Sequence, residues 1–425
     1  MSLVMQDERH GLQQEAVELS CKQTKNHTLV LGTGFGKSKV AIDIIKKKEP
    51  KEVLILVNNT ELRDFSWQDE FNRFKATDIW LEKVEIVTYQ TACRWTKDTK
   101  DLSGYLVICD EVDFAADTDV YANFFREYST KVEIIGFTGF ITKDKQAWFD
   151  EWLPVVIEYT VTDAQKDGKL NKIEFEFVKY QLSRVKNLKV EYKSGDKMKS
   201  FMTSENDKYE YEDKRYRTAL GEQAAIKGQW EQLEEEEYKS KMDKISKKIE
   251  WIIKARNAVL LNSDTTANMA KDMLIQELLT PNNKAIVFSV YTKQSQKVTD
   301  NVYNGSIKSA VNKQTFINFN SSKIRSLGVC TKVNRGVNFV GLNVAIFETF
   351  YGSDTQMMQR LGRLTRLDKN HVAKAIILLP YFYRLGKGGS YKSAETRQVE
   401  WARKALKESG ATSKNSTIKD LRYIQ

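Results

Sequence analysis

The sequence predicts an α/β protein with two parallel-sheet domains in tandem and an inserted, largely helical, charged accessory segment. Short apolar runs recur in two blocks of the chain, and helix-compatible segments separate them. Strands buried on both faces of a parallel sheet have this continuous apolar character. The 425 residues suffice for two separate cores. A segment rich in charges of both signs lies between the blocks and predicts the insert.

The composition indicates a globular protein with a polyanionic partner. Hydrophobic residues make up 41% of the chain, charged residues 29%, and the net charge is +10. This basicity favours nucleic acid as the partner, and a lysine-rich proteome is the alternative explanation. Scattered cysteines and histidines without metal-ligand spacing predict a reducing compartment and no structural metal. Because no stretch resembles a membrane span or a signal peptide, we expect a cytosolic protein without a membrane partner.

The first block, residues 1–160, is expected to form one nucleotide-binding domain. Its predicted strands are residues 28–31, 53–57, 84–87, 105–109 and 132–136, and residues 154–160 are expected to close the block. Ligands bind at the carboxyl ends of parallel strands. The polar residues that follow these runs are therefore the candidate functional residues.

A glycine-rich loop follows the first strand and leads into a helical pattern. It contains Gly32, Thr33, Gly34, Phe35, Gly36, Lys37 and Ser38. Glycines let backbone N–H groups turn toward phosphate oxygens, and a helix N-terminus adds positive potential. In this context Lys37 reaches the β- and γ-phosphates of ATP, and Ser38 binds Mg²⁺. Leu31 stands where such loops usually have another glycine, and an ordinary βα turn is the alternative.

Adjacent carboxylates after the strand at 105–109 indicate a site for a magnesium–nucleotide complex. Carboxylates at the end of a buried strand are costly unless they are used. We assign Asp110 to the metal and Glu111 to polarising the attacking water. Asp113 and Thr138 are the candidates for coupling, since the Thr138 hydroxyl can sense the state of the carboxylates. The alternative is an acidic loop after a core strand.

Polar residues elsewhere in the chain are candidate contacts to the nucleic acid or to the adenine base of the nucleotide. Thr88, Thr91 and Thr331 follow strands and have hydroxyls that can donate to phosphates. For Thr88 and Thr91, helix capping is the alternative. Gln13 has the amide donor and acceptor needed to read an adenine edge, and an exposed polar helix surface is equally compatible with it.

Residues 161–250 are predicted to form a linker strand and an accessory element. Apolar residues at three- and four-residue steps from Ile226 to Ile252 predict one long amphipathic helix. Residues 184–250 contain 16 Lys/Arg and 15 Asp/Glu, so we expect the main anion-binding surface elsewhere. We expect the arm to pack on the body. A wedge for branched nucleic acid is the alternative, with candidate contacts Tyr209, Tyr211, Lys214, Arg215 and Arg217.

The second block, residues 251–425, repeats the strand pattern and is expected to end in a helical tail. Its predicted strands are residues 285–290, 327–330, 344–347 and 375–379. Arg360, Arg363 and Arg366 have three-residue spacing, which places them near one face of a helical turn. Guanidinium groups there can stabilise the γ-phosphate charge in a transition state, and a solvated basic face is the alternative.

Five segments together resemble the motifs of superfamily 2 helicases and translocases. They are GFGKS (34–38), DEVD (110–113), Thr138-Gly139, TKVNRGVN (331–338) and QRLGRLTR (359–366). The resemblance covers residues 9–160 and 251–382. It implies two RecA-like domains that bind ATP and Mg²⁺ between them. By motif position, it implies adenine recognition by Gln13, a nucleotide-facing Gly336, a γ-phosphate contact from Gln359 and arginine fingers at Arg363 and Arg366.

Within this superfamily the sequence resembles phage UvsW-like and RecG-like remodelling enzymes. The resemblance rests on DEVD, on the GVN ending at Asn338 and on residues 162–170. It implies remodelling of forked or four-way DNA in replication, recombination or repair, in a bacterial or phage-infected cytosol. We take a monomer as the working expectation. The spellings DEAD, SAT and HRIGRTGR, which RNA helicases favour, do not occur. An RNA helicase and an ATP-gated clamp without processive movement are the alternatives.

Overall fold

The computed structural model of the protein describes most of the chain. The described residues are 3–32, 34–58, 63, 67–96, 98–160, 163, 173–195, 197–304, 307, 309–330, 339–349, 360–364, 372–385, 389, 391–397, 399–400 and 415–420. The chain divides into two compact units. The first comprises Met1–Ile173, Val333–Phe339 and Ser353–Ala373, and the second comprises Glu174–Lys332, Val340–Gly352 and Lys374–Gln425.

The first unit contains a six-stranded parallel sheet. Its strands are β1 (His27–Leu31), β2 (Glu52–Val57), β3 (Val84–Thr88), β4 (Tyr105–Asp110), β5 (Glu133–Thr138) and β6 (Val155–Tyr159). The order across the sheet is β3-β2-β4-β5-β1-β6, and every pair is parallel. The five predicted strands are confirmed, and β6 is a sixth strand in the segment that we expected to close the domain. Their carboxyl ends all lie at one edge, where parallel sheets bind ligands.

Helices cover both faces of this sheet. They are α1 (Leu3–Lys22), α2 (Lys37–Lys48), α3 (Trp67–Arg73), α4 (Thr77–Lys83), α5 (Tyr89–Ala92), α6 (Asp119–Tyr128) and α7 (Gln146–Trp152). Alternate residues of β2 enter two separate cores. Val53, Ile55 and Val57 pack with α1, α2 and α3, whereas Leu54 and Leu56 pack with α5, α6 and α7. Burying each of these side chains contributes roughly 1.5–3 kcal/mol, which explains the continuous apolar runs.

The second unit contains a larger sheet and a separate two-stranded ribbon. Its described strands are β7 (Ile173–Gln181), β8 (Leu188–Ser194), β9 (Lys197–Thr203), β10 (Ala285–Phe288), β11 (Val302–Tyr303), β12 (Ser326–Val329), β13 (Val344–Phe347), β14 (Ala373–Leu385), β15 (Tyr391–Glu395) and β16 (Ser416–Asp420). The main sheet has the order β11-β12-β10-β13-β14-β7-β16. Its core from β11 to β14 is parallel, which confirms the second parallel-sheet domain.

The described helices of the second unit follow the ribbon. They are α8 (Glu205–Gly228), α9 (Glu235–Leu261), α10 (Asp264–Leu279), α11 (Thr292–Val298) and α12 (Ser309–Asn320). Across the described part of the chain, no helix combines the length and the apolar character needed to cross a membrane.

The insert contains a helical hairpin, so the prediction of one long helix from 226 to 252 is wrong. α8 ends at Gly228, a 3₁₀ turn covers Trp230–Gln232, and α9 begins at Glu235. Glycine is a poor helix former, and it ends the first helix here. The periodic apolar spacing continued through the turn because both helices bury their apolar residues against each other.

The two helices of the insert run antiparallel and share a small core. Lys248 of α9 pairs with Glu222 of α8, and further along Arg256 pairs with Asp213. The predicted apolar face contributes Ile245, Ile249 and Ile252 to the buried cluster between them. The predicted apolar face is therefore confirmed at these three residues, whereas Trp230, in the 3₁₀ turn, is exposed.

Among the described C-terminal residues, 391–395 and 416–420 form strands and 397 and 399–400 are helical, so the expected helical tail stays a prediction. β15 pairs antiparallel with β14, and β16 pairs parallel with β7. Residues 401–414, between these two strands, lie outside the described residues. Strand β16 thus extends the sheet beside β7, which is the linker strand predicted within residues 161–250.

Candidate active site

The glycine-rich loop joins β1 to α2 at the carboxyl edge of the first sheet. The Gly32 N–H donates to the Tyr159 carbonyl oxygen (2.8 Å), and the Phe35 N–H donates to the Gly32 carbonyl oxygen (3.0 Å). Gly34 and Gly36 have φ angles of 91° and 97°, which residues with a Cβ rarely adopt. The shape of the loop therefore requires these two glycines.

The loop leads directly into the N-terminus of α2, which begins at Lys37. Ser38 lies in the first helical turn. The N-cap residue, Gly36, has no side chain to cap the helix, so the helix dipole and the first N–H groups of α2 can act on a phosphate. Leu31 is buried as the last residue of β1, and the loop turns at Gly32 instead. Thr33 lies outside the described residues.

Gln13 of α1 is buried and supports the loop. Its Nε2 donates to the carbonyl oxygen of Phe35 (2.7 Å). The Phe35 ring lies 5.3 Å from the Tyr159 ring, on β6. Gln13 is therefore not part of an exposed polar surface, which was one of the two predicted alternatives. It links α1 to the loop, and its predicted contact with adenine stays a prediction.

Two hydrogen bonds position Asp110, the last residue of β4. The Trp67 indole N–H donates to Asp110 Oδ2 (3.2 Å), and the Tyr89 hydroxyl donates to the Asp110 carbonyl oxygen (3.0 Å). Burial raises the pKa of Tyr89 well above its ordinary value, so this hydroxyl keeps its proton. An aromatic donor on α3 therefore holds the predicted metal ligand.

Glu111 has a left-handed backbone conformation, with φ 53° and ψ 50°. It stands at the start of a 3₁₀ helix, Val112–Asp117, and its carbonyl oxygen accepts the N–H of Phe114 (3.0 Å). For a residue with a Cβ this conformation costs about 1–2 kcal/mol. Such strain is concentrated at active sites, because surrounding contacts must hold the residue in place.

Asp113 and Thr138, the predicted coupling pair, are in direct contact. The Thr138 hydroxyl donates to Asp113 Oδ1 (2.9 Å), and both residues are buried. Lys145 Nζ donates to the Asp113 carbonyl oxygen (2.7 Å). The carboxylate segment after β4 is thus connected to the end of β5. Movement of either segment would be transmitted to the other.

Thr88 and Thr91 also lie together, at the end of β3. Their hydroxyl oxygens are 3.1 Å apart, and either can be the donor. Thr88 occupies the N-cap position of α5 but makes no side-chain capping bond, so helix capping does not account for it. A contact from this pair to nucleic acid stays a prediction.

Arg360 and Arg363 are both buried, which excludes a solvated basic face for these two residues. The Arg363 N–H donates to the Arg360 carbonyl oxygen (3.1 Å). Burial lowers the pKa of Arg363, and the negative charge of Glu111 opposes this change. Arg363 and Glu111 belong to the same compact unit. A buried cation therefore acts electrostatically on the predicted water-polarising carboxylate.

Several predicted site residues lie outside the described residues. They are Gln359, Arg366, Thr331 and Gly336.

The donor set fits a magnesium ion that is bound together with a nucleotide. No group of three or more His, Cys, Asp or Glu in the described ranges could hold a metal by itself. Magnesium prefers oxygen ligands and in nucleotide sites uses one or two protein oxygens, with phosphates and water completing the shell. The Ser38 hydroxyl and the Asp110 carboxylate are ligands of this type.

Sequence reasoning did not assign roles to Trp67, Tyr89 and Lys145. Trp67 of α3 and Tyr89 of α5 contact Asp110 at the end of β4, and Lys145 contacts Asp113 in the segment that follows. No local sequence motif predicts such tertiary contacts. A buried tryptophan or tyrosine has a polar group that needs a partner, and that was the available signal.

Tyr209 was a candidate wedge contact, and its burial excludes this role. It is 1% exposed, its ring lies 5.4 Å from the Phe382 ring, and its hydroxyl accepts the N–H of Arg397 (3.2 Å). Arg215, another candidate, lies 4.8 Å from the ring of Trp251. The contacts of Tyr209 favour the predicted packing of the arm on the body, whereas the Arg215–Trp251 contact lies within the arm.

Two family models match parts of the chain. Residues 6–143 match the model for the type III restriction enzyme, res subunit, and residues 269–368 match the helicase conserved C-terminal domain. With the helicase structures below, the two matches support a superfamily 2 helicase, which implies a nucleic-acid-dependent ATPase. No curated protein sequence matches the chain significantly.

Three solved structures show the similarity of fold. The Pyrococcus furiosus Hef helicase domain has a TM-score of 0.50 and 16% identity, covering 94% of this chain and 97% of that chain. Saccharomyces cerevisiae Dbp5 bound to RNA and ADP BeF3 has a TM-score of 0.55 and 10% identity, covering 96% of this chain and 89% of that chain. The ATP-dependent type ISP restriction-modification enzyme LlaBIII bound to DNA has a TM-score of 0.59 and 11% identity, covering 97% of this chain and 31% of that chain. The tandem RecA-like fold predicted from the sequence is confirmed.

Proposed function

We propose that this protein is an ATP-dependent DNA helicase or translocase that remodels forked or four-way DNA. The observation that carries the proposal is the set of groups at one sheet edge. A loop with two glycines in the left-handed conformation leads to Lys37. Asp110 is the last residue of β4, and Glu111 follows it. Arg363 is buried within electrostatic range of Glu111. These groups supply the parts that phosphoryl transfer to water requires.

In the proposed mechanism, Lys37 and the loop N–H groups bind the phosphates of ATP, and Ser38 and Asp110 hold Mg²⁺. The metal, when bound, neutralises phosphate charge. Glu111 orients and polarises the attacking water, and Arg363 stabilises charge in the transition state, assisted by Gln359 and Arg366. The Asp113–Thr138 contact carries the change in nucleotide state to β5. Gln13 and Gly336 complete the nucleotide contacts.

The two domains would grip the phosphate backbone alternately during the cycle, with Thr88, Thr91 and Thr331 among the contacts. Binding would then depend on salt and be largely independent of sequence. The DNA assignment is supported by the motif spellings and the net charge of +10. We further propose a monomer in the cytosol of a bacterium or phage-infected cell, acting in replication, recombination or repair.

An RNA helicase is the second candidate function. The solved structure of Dbp5, one of the similar folds, contains RNA. An ATP-gated clamp without processive movement uses the same nucleotide groups, although Glu111 and the buried Arg363 favour turnover.

Steady-state ATP hydrolysis with different nucleic acids tests the proposal. The rate is measured without nucleic acid and with single-stranded, duplex, forked and four-way DNA and with RNA. Lys37→Ala serves as the inactive control. We expect the strongest stimulation with forked or four-way DNA. Stimulation by RNA alone would establish the RNA helicase instead, and a rate that no nucleic acid changes would contradict a nucleic-acid motor.

A further inference from the structure

The β8–β9 ribbon is exposed over much of its length. It is a two-stranded antiparallel ribbon that pairs with no other strand among the described residues. Four of its large apolar side chains keep about half or more of their surface in solvent. They are Tyr192 (46%), Met198 (66%), Phe201 (52%) and Met202 (50%). Exposed apolar side chains grouped on one element commonly mark an interaction site.

The near-neutral charge of the insert conceals a strong separation of charge. Residues 184–203, which contain the ribbon, have six Lys/Arg and two Asp/Glu, a net charge of +4. Residues 204–250, which form the helical hairpin up to the middle of α9, have ten Lys/Arg and thirteen Asp/Glu, a net charge of −3. We expected the main anion-binding surface elsewhere because the opposite charges of these two parts nearly cancel in the total for residues 184–250. The ribbon itself, residues 188–203, has four Lys and two Asp/Glu, a net charge of +2, which is the sign that a polyanion requires.

One face of the ribbon combines aromatic rings with lysines. Tyr192 pairs with Lys199 across the ribbon, and Ser194 pairs with Lys197. Because side chains alternate between faces, Phe201 shares this face, and its ring lies 6.0 Å from that of Tyr192. The opposite face carries Met198 and Met202 without an aromatic residue.

The base of the ribbon is fixed to the second unit. The Asn206 N–H donates to the Ser183 carbonyl oxygen (3.0 Å), which joins the two ends of the ribbon segment. The buried Glu205 accepts hydrogen bonds from the Ser263 hydroxyl (2.9 Å) and the Asp264 N–H (2.8 Å) at the start of α10. The ribbon therefore extends from a rigid base, as a binding element should.

We propose that the face carrying Tyr192, Phe201, Lys197 and Lys199 binds single-stranded nucleic acid. Bases stack on the two rings, and the lysines contact the adjoining phosphates. Aromatic stacking of bases beside basic groups is the common mode of sequence-tolerant single-strand binding. The net positive charge of the ribbon, +2 over residues 188–203, favours this occupant over a protein surface of mixed charge. The inference rests on the proposed function and assigns a strand-binding surface to it.

Binding of fluorescent 15-nucleotide oligo-dT and oligo-U tests this surface. The aromatic double variant Tyr192→Ala/Phe201→Ala is compared with Met198→Ala/Met202→Ala, the matched control from the opposite face. Stacking is worth about 1–3 kcal/mol per base, so we expect affinity to fall tenfold or more in the aromatic variant only. Basal ATP hydrolysis and the thermal midpoint should match the wild type in both variants. The two oligonucleotides determine whether DNA or RNA is preferred.

The outcomes separate the two proposals. Wild-type affinity in the aromatic variant, or equal losses in both variants, would overturn the ribbon assignment while leaving the proposed motor intact. Failure of the wild-type protein to bind either oligonucleotide would overturn both. If light scattering shows that the aromatic variant loses self-association and keeps oligonucleotide affinity, the face is a protein interface and the assignment is wrong. Lys197→Gln/Lys199→Gln should weaken binding most at low salt.

Discussion

The catalytic edge of the first unit and the insert of the second unit both contain buried aspartates, with different surroundings. Asp113 accepts the hydroxyl of Thr138, a neutral group at the end of β5. Asp213 forms ion pairs with Arg217 (3.2 Å), Arg256 (3.3 Å) and Arg397 (3.3 Å). The first aspartate connects two loops at the edge that binds nucleotide, whereas the second fastens an inserted arm to its domain.

This difference indicates how the protein divides its work. A single neutral hydrogen bond is worth about 1 kcal/mol, so the Asp113–Thr138 contact can change during a catalytic cycle. A buried carboxylate among three guanidinium groups is costly to disturb. Arg256 also lies 4.3 Å from the Tyr216 ring, which packs α8 against α9. We therefore expect substitutions at the first region to change catalysis and those at the second to change stability.

The largest effect is expected from Glu111→Gln. Removing the water-polarising carboxylate should lower ATP hydrolysis by about 10²–10⁴-fold while ATP binding stays within a few-fold of wild type. Single-turnover hydrolysis and equilibrium binding of a fluorescent ATP analogue measure the two quantities. Glu18→Gln, at an exposed ion pair with Lys47, is the control. A variant that keeps its rate, or that loses binding, would contradict the role.

Asp213→Ala should cost about 3–5 kcal/mol in the free energy of unfolding, because it leaves the buried guanidinium group of Arg256 without its ion-pair partner. Asp243→Ala removes an exposed pair with Lys247 and should cost less than about 0.5 kcal/mol. Urea unfolding of both variants measures the difference. Equal, small losses would mean that the arm is not anchored through Asp213.

Glu348 provides a test that depends on pH. It is buried after β13, its Oε1 accepts from Gln294 Nε2 (3.0 Å), and burial raises its pKa from 4.5 to about 7. The unfolded chain loses this proton at lower pH than the folded chain, so stability should fall as pH rises from about 5 to 7. Glu348→Gln should remove this dependence and gain up to roughly 3 kcal/mol above pH 7. Urea unfolding midpoints of the wild type and of Glu348→Gln at pH 5 and 8 measure this pH dependence. The same change with pH in both proteins would contradict the role of Glu348.

Trp67→Phe should have the smallest effect. It removes the indole donor to Asp110 and keeps most of the buried ring. We expect the Mg²⁺ concentration for half-maximal ATP hydrolysis to rise several-fold, equivalent to about 1 kcal/mol, with little change in the thermal midpoint. Trp80→Phe, which packs against Phe71 at 5.5 Å, is the control. The same Mg²⁺ requirement in both variants would show that Trp67 only packs.

The sequence predicted where the glycine loop and the paired carboxylates of the first sheet lie, because the signals for them are local. Gly34, Gly36 and Lys37 are adjacent in the chain, and their conformation follows from the glycines and the helix start. Asp110 and Glu111 follow one apolar strand. The indole of Trp67 was not predicted as the partner of Asp110, since a tertiary contact of this kind leaves no periodic pattern.

The insert was predicted less well because distant residues determine its shape. The apolar spacing from Ile245 to Ile252 was correct, but it did not reveal that the chain reverses near Gly228. Asp213 and Arg397 meet only after the second sheet has formed. The ribbon at 188–203 was missed because its alternation is mixed, with apolar residues on both exposed faces.

The hydrogen bond between Ser183 and Asn206 has a consequence for how such a chain can change. Because the two ends of the ribbon segment meet at its base, a short turn can close the same gap, and loop-closure entropy depends only weakly on length. A hairpin of another length or composition can replace this one while the strands beneath keep their pairing. If the ribbon binds the nucleic acid as proposed, exchanging it would alter substrate preference and leave the proposed ATP site unchanged.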